Sequence, residues 1–362
     1  MYRAKKWRKK TALLMMLVML AGIFAACGSP APASSSQAAP PASNSTPNAA
    51  PAPSSSGSVR TLRLGHVVQE GSAPDAGSRK FADLVYEKTN GGIVIEIFTG
   101  GTLGQNREMI EMLQNGTLDF THPTVAVLSG FTDRTKILDL PFLFKDVESA
   151  EKVLTGEIGK DILNSLENNE LIGLGWYSQG WRQTTANKAI RTPDDFKGIK
   201  IRTQDNTLHI AGFNQLGASA IPMAFSEVFT GLQQKTIDAQ ENPYTNIYLN
   251  AYYEVQSHVI ETRHVYDSIA LLMSKRTFDS LTPDEQTAIR EAAEEACAYE
   301  RKYVMEKDEE SKQAIIATGK TEIVELTPAE WDVFRAAVQP VYDKYASEVG
   351  EALLNQILDM QK

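Results

Sequence analysis

The feature that most constrains the fold is an alternation of strand and helix patterns that occurs twice along the chain. The first alternation has strand patterns at residues 60–67 and 93–98 on either side of a helical pattern at 74–89. The second has strand patterns at residues 198–202 and 237–241, with a helical pattern at 205–216 between them. Such alternation is typical of mainly parallel sheets covered by helices. Two alternations in 362 residues predict two α/β lobes.

Two Thr-Pro-x-Glu sequences predict where the later helices begin. They are Thr282-Pro283-Asp284-Glu285 and Thr327-Pro328-Ala329-Glu330. In each, Thr is the N-cap, Pro occupies the first helical position, and Glu at the third completes a capping box. The first sequence predicts a long helix over 283–318, and the second a helical region that extends to about residue 359. The long helix has the length to brace both lobes.

The N-terminus has the pattern of a targeting signal. Six basic residues and no acidic ones fall within residues 1–26, and residues 13–26 are apolar but too short for a comfortable membrane span. The run Phe24-Ala25-Ala26-Cys27 resembles a bacterial lipoprotein signal, with Phe24 in place of the usual Leu. We therefore predict a signal peptide over 1–26 and lipidation of Cys27; the alternative is an ordinary secretory signal with an incidental cysteine. Residues 27–57, rich in Ala, Pro and Ser, are predicted to be a disordered tether.

Charge and motif content exclude several functional classes. The net charge is −9, and without the six basic residues of the signal it is −15, which argues against nucleic-acid binding. No phosphate loop, dinucleotide fingerprint, nucleophile elbow or zinc-protease motif is present. The five histidines lack metal-ligand spacing, so we expect no metal, no cofactor and no catalytic residues. Cys297, which lies in a predicted helix, is expected to be a packed residue.

Two arginines, Arg182 and Arg202, are the strongest candidates for a binding site. They lie 20 residues apart, each beside a predicted strand end. Guanidinium is the best side chain for holding a carboxylate out of water, and ligands bind at strand ends in α/β folds. The alternative for each arginine is a surface salt bridge. Phe225 can cover a ligand or pack in the core, and Asn242 can bind a ligand or serve as a turn residue.

The order and spacing of several short runs resemble the substrate-binding proteins of tripartite ATP-independent periplasmic (TRAP) transporters, the DctP-like family, in lipoprotein form. The resemblance covers roughly residues 60–320. The runs that carry it are GWRQTT at 180–185, DFKGIKIR at 195–202, LGA at 216–218, PMAFSEV at 222–228 and DAQENP at 238–243, with FADLVYEKTNG at 81–91 and LPFLF at 140–144 in support.

The resemblance implies an α/β, two-lobed periplasmic-binding-protein-like fold with a central cleft and a long helix spanning both lobes. The implied lobe I is 58–180 plus about 268–307, lobe II is 181–267 plus about 308–327, and 328–362 is a C-terminal helical region. Arg202 corresponds to the family's carboxylate-binding arginine and Arg182 to a second site arginine. Further expected ligand contacts are Asn242, Phe225, Asn106, Thr124 and the loop at 67–70.

The function implied is that of an extracytoplasmic solute receptor, not an enzyme, which binds an organic acid anion and delivers it to a membrane permease. C4-dicarboxylates, sugar acids and related carboxylates all remain open as ligands. Sialic acid is disfavoured, because Asn106, Thr124 and Asp205 depart from the pattern of sialic-acid-binding members. Trp181 is expected to offer the ligand an apolar wall. We expect a monomer held to the membrane by its lipid; a sensory ligand-binding module and a surface-tethered enzyme are the alternatives.

Overall fold

The computed structural model describes residues 59–361. The predicted signal peptide, Cys27 and the tether lie outside the described residues. The strands are β1 Arg60–Gly65, β2 Ile93–Phe98, β3 Phe120–Thr121, β4 Leu171–Trp181, β5 Gln183–Ala186, β6 Lys200–Thr203, β7 Ser219–Pro222, β8 Gln240–Asn242, β9 His258–Ile260, β10 Tyr266–Ser274 and β11 Glu322–Val324. The α-helices are α1 Ala73–Lys88, α2 Asn106–Asn115, α3 Val125–Leu128, α4 Val147–Thr155, α5 Glu157–Ser165, α6 Thr207–Gln215, α7 Val228–Gln233, α8 Tyr244–Leu249, α9 Lys275–Asp279, α10 Pro283–Thr318, α11 Pro328–Ala337, α12 Gln339–Val349 and α13 Glu351–Asp359.

The first lobe is built on a five-stranded sheet in the order β2-β1-β3-β10-β4. β1 pairs in parallel with both β2 and β3, as the strand–helix alternation predicts. β10 runs antiparallel to both β3 and β4, so the sheet is mixed rather than parallel throughout. Its apolar side chains pack against α1 and the first half of α10, with Phe81 fully buried and edge-on to Phe120.

The second lobe contains a four-stranded sheet in the order β11-β9-β5-β8 and a two-stranded sheet of β6 and β7. An isolated bridge between Ile201 and Ala239 links β6 to the segment before β8. β6 and β7 pair in parallel, as the second alternation predicts, whereas β5 runs antiparallel to both β8 and β9. It also brings the ends of β6 and β8 together, and both ends carry predicted site residues.

Three segments cross between the two lobes. β4 of the first sheet leads through Arg182 into β5 of the second, and β9 leads back into β10. The third crossing is α10, whose 36 residues span about 54 Å. Ile289 and Cys297 pack in the first lobe's core, whereas Ile315 packs in the second lobe's core. The predicted helix that spans both lobes is therefore present, and its Thr282 capping box forms as expected.

Two carboxylates on α10 form hydrogen bonds to the two lobes where this helix crosses between them. Glu300 is fully buried and accepts a hydrogen bond from the Ser178 backbone N–H at 3.0 Å. Asp308, two turns further on, accepts from the Thr245 N–H at 3.0 Å and so caps the start of α8. Burial raises the pKa of both groups, that of Asp308 to about 7. Each lobe therefore contacts α10 through a hydrogen bond to a carboxylate, and burial favours the protonated form of both carboxylates.

The structure differs from the predicted elements in several places. Thr192 forms a capping box with Asp195, but the helix that follows is a single 3-10 turn, Pro193–Phe196. β4 continues to residue 181 because it pairs with β10 along its whole length. The predicted C-terminal helical region consists of three helices, α11, α12 and α13. They pack against apolar residues of 137–144 and against α6. No helix in the described range has the length and apolarity needed to cross a bilayer.

Candidate functional site

A cavity of about 440 Å³ lies between the two lobes, where the ends of β1, β4, β6, β7 and β8 converge. This volume is in the range of small-molecule sites. All six residues predicted to contact a ligand line it: Asn106, Thr124, Arg182, Arg202, Phe225 and Asn242. The rest of the lining is Val67, Val68, Gln105, Arg107, Glu108, Val127, Gln179, Gln204, Asp205, Pro222, Met223, Ala224 and Asn246.

Arg202 is a buried guanidinium without a carboxylate partner in the described part of the chain. It lies on β6, and its Nε and Nη2 both donate to the carbonyl oxygen of Met223, at 3.0 and 2.8 Å. This carbonyl fixes the plane of the guanidinium. Burial lowers the pKa of Arg202 to about 10, and the more distant Glu241 offsets this only in part. A buried cation of this kind is costly until an anion joins it.

Arg182 is buried too, but its charge is already compensated. Its Nε and Nη2 donate to the Glu241 carboxylate, and Nη1 donates to Asp267 at 2.6 Å. Nη2 also donates to the Glu241 carbonyl at 2.6 Å. Burial alone would lower the pKa of Arg182, but Asp267 and Glu241 outweigh it and raise that pKa. Arg182 therefore lines the cavity as the centre of an ion-pair cluster that joins β8 and β10 at the lobe crossing.

The charge states in this cluster follow from its contacts. Burial favours the protonated form of Glu241, but Arg182 and His264 overcome it and hold the pKa of Glu241 well below its usual range. Burial is the largest influence on His264 and lowers the pKa of its ring. His264 Nε2 lies 3.1 Å from Glu241. We therefore assign a neutral His264, a charged Arg182 and a charged Glu241 at neutral pH.

Side-chain amides form the floor of the cavity. Asn246 Nδ2 donates to Gln179 Oε1 at 2.7 Å and to Asn242 Oδ1 at 3.3 Å. Asn242 Nδ2 donates to Gln240 at 2.6 Å. Gln179 in turn donates to Asp267 at 3.3 Å. The amide of Asn242 is thus held at both ends, which fixes the orientation of the atoms it presents to the cavity.

Polar contacts also bridge the lobes beside the cavity. Thr124 Oγ1 donates to Gln204 Oε1 at 2.6 Å in a buried bond. Asn206 Nδ2 donates to the Ala126 carbonyl and to Asp139. At the solvent side, Arg107 Nη2 lies 3.4 Å from Asp205 Oδ2, with the Arg107 side chain 48% and the Asp205 side chain 68% exposed. These contacts join the start of α2 and α3 to the loop between β6 and α6.

The apolar part of the lining comes from both lobes. Phe225, in a 3-10 turn after β7, is half-buried and packs against the second lobe's core while one side faces the cavity. Val67 and Val68 face it from the first lobe. Trp181 does not line the cavity, contrary to expectation. Because Arg182 points toward the cleft, its neighbour in the strand points away, and the Trp181 ring packs edge-on against Tyr266 at 5.3 Å.

Sequence reasoning missed several polar lining residues, among them Arg107, Gln179, Gln204 and Asn246. Two of them had a usable signal. Gln204 lies two positions after Arg202, so the alternation of a strand places both on one face. Asn246 lies four positions after Asn242, a spacing that brings side chains together at the start of a helix. No sequence spacing pointed to Arg107 or Gln179. Within residues 59–361, no three His, Cys, Asp or Glu side chains are grouped as a metal ion would require.

Comparison with known proteins identifies relatives across most of the chain. Residues 64–348 match the family model described as bacterial extracellular solute-binding protein, family 7 (DctP). The 2,3-diketo-L-gulonate-binding periplasmic protein YiaO of Escherichia coli is 36% identical over 84% of this chain and 88% of its own. The C4-dicarboxylate-binding periplasmic protein DctP of Rhodobacter capsulatus is 34% identical over 80% of this chain and 87% of its own.

Solved structures share the two-lobed fold. A TRAP periplasmic solute-binding protein from Shewanella oneidensis with bound succinate superposes with a TM-score of 0.82 at 32% identity, over 84% of this chain and all of that one. The sugar acid binding protein DctPAm from Advenella mimigardefordensis, in complex with galactonate, gives 0.81 at 32% identity, over 84% and 98%. The chain belongs to the DctP family of bacterial extracellular solute-binding proteins, and it has the two-lobed α/β fold that its strand–helix pattern predicts.

Proposed function

We propose that this protein is the extracytoplasmic solute receptor of a TRAP transporter and that it holds an organic acid anion by a salt bridge to Arg202. The observation that carries the proposal is the buried guanidinium of Arg202, which faces the cavity with no carboxylate partner among residues 59–361. A ligand carboxylate supplies the missing charge and accepts hydrogen bonds in a site largely free of water. The solved relatives with succinate and galactonate support an acid as the ligand.

Binding is proposed to be coupled to closure of the lobes. The cavity is lined by both lobes, and only three segments cross between them. A ligand that touches both lobes therefore stabilises the closed arrangement, in which Thr124 meets Gln204. The closed protein then delivers the ligand to the membrane permease. The cleft needs no nucleophile or general base for this, since the ligand leaves unchanged.

The salt bridge is tested by titrating Arg202→Ala and Arg202→Lys with an acid that binds the unaltered protein. Loss of one partner of a buried charge pair costs about 2–5 kcal/mol, so Arg202→Ala is expected to weaken binding by roughly 30-fold or more. Arg202→Lys keeps the charge but loses the planar donor pair, so it should bind with intermediate affinity. Arg134→Ala, at an exposed arginine outside the cavity, is the matched control. Unchanged affinity in a folded Arg202→Ala protein would refute the proposal.

The membrane attachment is proposed to be a lipid on Cys27. The sequence Phe24-Ala25-Ala26-Cys27, which precedes a segment rich in Ala, Pro and Ser, supports this. Expression of Cys27→Ser beside the unaltered chain tests it. The unaltered chain should fractionate with membranes and incorporate labelled fatty acid, whereas the variant should do neither. Label in the variant would place the anchor elsewhere.

A further inference from the structure

We infer that the cleft selects acids that carry one carboxylate and several hydroxyl groups, and that it discriminates against dicarboxylates. The inference rests on the proposed function, since it takes Arg202 as the partner of the first carboxylate. The solved relatives include both a succinate complex and a galactonate complex, so relationship alone does not decide between the two ligand classes. The charges and the unpaired polar atoms of the cavity distinguish between these ligand classes.

The cavity offers a single uncompensated cation. Of the three arginines that line it, Arg182 is bound by Glu241 and Asp267, and Arg107 pairs with Asp205. Only Arg202 lacks a carboxylate within the described residues. One ligand carboxylate therefore neutralises the site. A second one, moved out of water, would lack a partner, which is the arrangement that protein interiors penalise most strongly.

The part of the cavity lined by α2 and the loop after β6 carries carboxylates of its own. Glu108 follows Arg107 in the first turn of α2, and Asp205 faces Arg107 from the other lobe. Glu108 accepts a hydrogen bond from the Gln105 N–H at 2.5 Å, which holds its carboxylate at the start of the helix. A second ligand carboxylate near Arg107 would have to displace Asp205 and approach Glu108. Like charges at that separation oppose binding.

Two unpaired amide atoms match hydroxyl groups instead. Asn106 Oδ1 and Gln204 Nε2 are buried in the cavity lining and have no hydrogen-bond partner in the protein. The first is an acceptor and the second is a donor. A hydroxyl group satisfies both kinds of atom, because it donates one hydrogen bond and accepts others, whereas a carboxylate only accepts. Asn106 Oδ1 therefore favours a ligand hydroxyl and disfavours a carboxylate oxygen.

The experiment compares ligands of equal chain length that differ in whether two, one or neither of their terminal carbons is a carboxylate. The full chain, purified in detergent, is titrated calorimetrically with the aldonate, the aldarate and the alditol of four, five and six carbons. We expect an aldonate to bind at least tenfold more tightly than its aldarate, and the alditol to show no detectable heat. Equal or tighter binding of the aldarate overturns the inference, and so does failure of every aldonate at millimolar concentration. Alditol binding tighter than both acids instead overturns the proposed function.

Two variants locate the discrimination. Asp205→Asn removes the negative charge that faces the second carboxylate, so it should tighten aldarate binding several-fold and narrow the gap to the aldonate. Arg107→Gln should leave the aldonate preference in place. If Asp205→Asn gives no gain, or if Arg107→Gln weakens aldarates much more than aldonates, Arg107 is a second carboxylate site and the inference is wrong. Lys197→Gln, at an exposed residue outside the cavity, controls for overall charge.

Discussion

Asp308→Asn should make the protein more stable, and increasingly so as the pH rises. Asp308 lies on α10 with its Oδ1 accepting from the Thr245 N–H at 3.0 Å and from the Thr245 hydroxyl at 3.4 Å. Asparagine keeps an oxygen at this position and so keeps the cap on α8. What it removes is a charge that burial disfavours. Glu309, the next residue, adds like-charge repulsion.

The size of the effect follows from the pKa, which rises from 3.8 to about 7 on folding. Below about pH 4 the carboxyl is protonated in the folded and unfolded chain alike, so it costs nothing. Between pH 4 and pH 7 the unfolded chain ionises first, and the cost grows until the folded carboxyl ionises too. The full shift of about 3 units corresponds to ~4 kcal/mol. Part of the Asp308 surface is exposed, so water screens its charge. We therefore expect Asp308→Asn to raise the unfolding free energy by about 2–4 kcal/mol.

The assay is guanidinium unfolding of the two proteins at pH 4.5, 6, 7 and 8. The difference in unfolding free energy should be small at pH 4.5 and reach its full size above pH 7. Glu309→Gln, an exposed carboxylate on the same helix, should change stability little at any of these pH values. A difference between Asp308→Asn and the unaltered protein that is the same at every pH would refute the reasoning, because it would show that Asp308 does not change its proton affinity on folding.

Two further substitutions test the packing of the lobe crossing and of the first lobe. Glu241→Gln leaves Arg182 buried with much of its charge unpaired, so the unfolding free energy should fall by about 3–5 kcal/mol. Asp194→Asn, in the exposed pair with Lys197, is the control and should lower it by less than about 1 kcal/mol. Equal losses in the two variants would contradict the assignment of Arg182 and Glu241 as a buried ion pair. Gly77→Ala brings a methyl group to 2.8 Å from Glu300 Cγ and 3.1 Å from Tyr177 Cζ. Although alanine normally stabilises a helix interior, this crowding should lower the unfolding free energy by about 1–3 kcal/mol. A more stable variant would show that α1 shifts freely away from α10.

The elements that the sequence predicted best are those with strong local signals. The helix over 283–318 and the strand over 93–98 have the bounds that were predicted. The capping box that forms at 192–195 is followed by a single 3-10 turn. The box fixes only where a helix starts, and Gly198 with a positive φ of 79° turns the chain into β6 at once.

In the candidate site, too, some features have a local signal in the sequence and others do not. The resemblance names six separated residues that the structure brings to one cavity, but it could not show which arginine lacks a carboxylate partner. That depends on Glu241 and Asp267, which lie 59 and 85 residues from Arg182. Ion pairs of such sequence separation leave no local pattern, because any of the 45 acidic residues is a possible partner. The direction of Trp181, in contrast, follows from local alternation, because adjacent residues of an extended segment point to opposite sides and Arg182 faces the cleft.

The order of strands in the first sheet has a consequence for how the protein is made. β10 lies between β3 and β4, and pairs with both. β4 therefore cannot join β1, β2 and β3 until residue 274 has been synthesised, and the helix that covers this sheet comes later still. The second sheet is also incomplete until β11, at residues 322–324. Both sheets are therefore completed by strands from the last third of the chain, and pairings of such long sequence separation are formed slowly during folding.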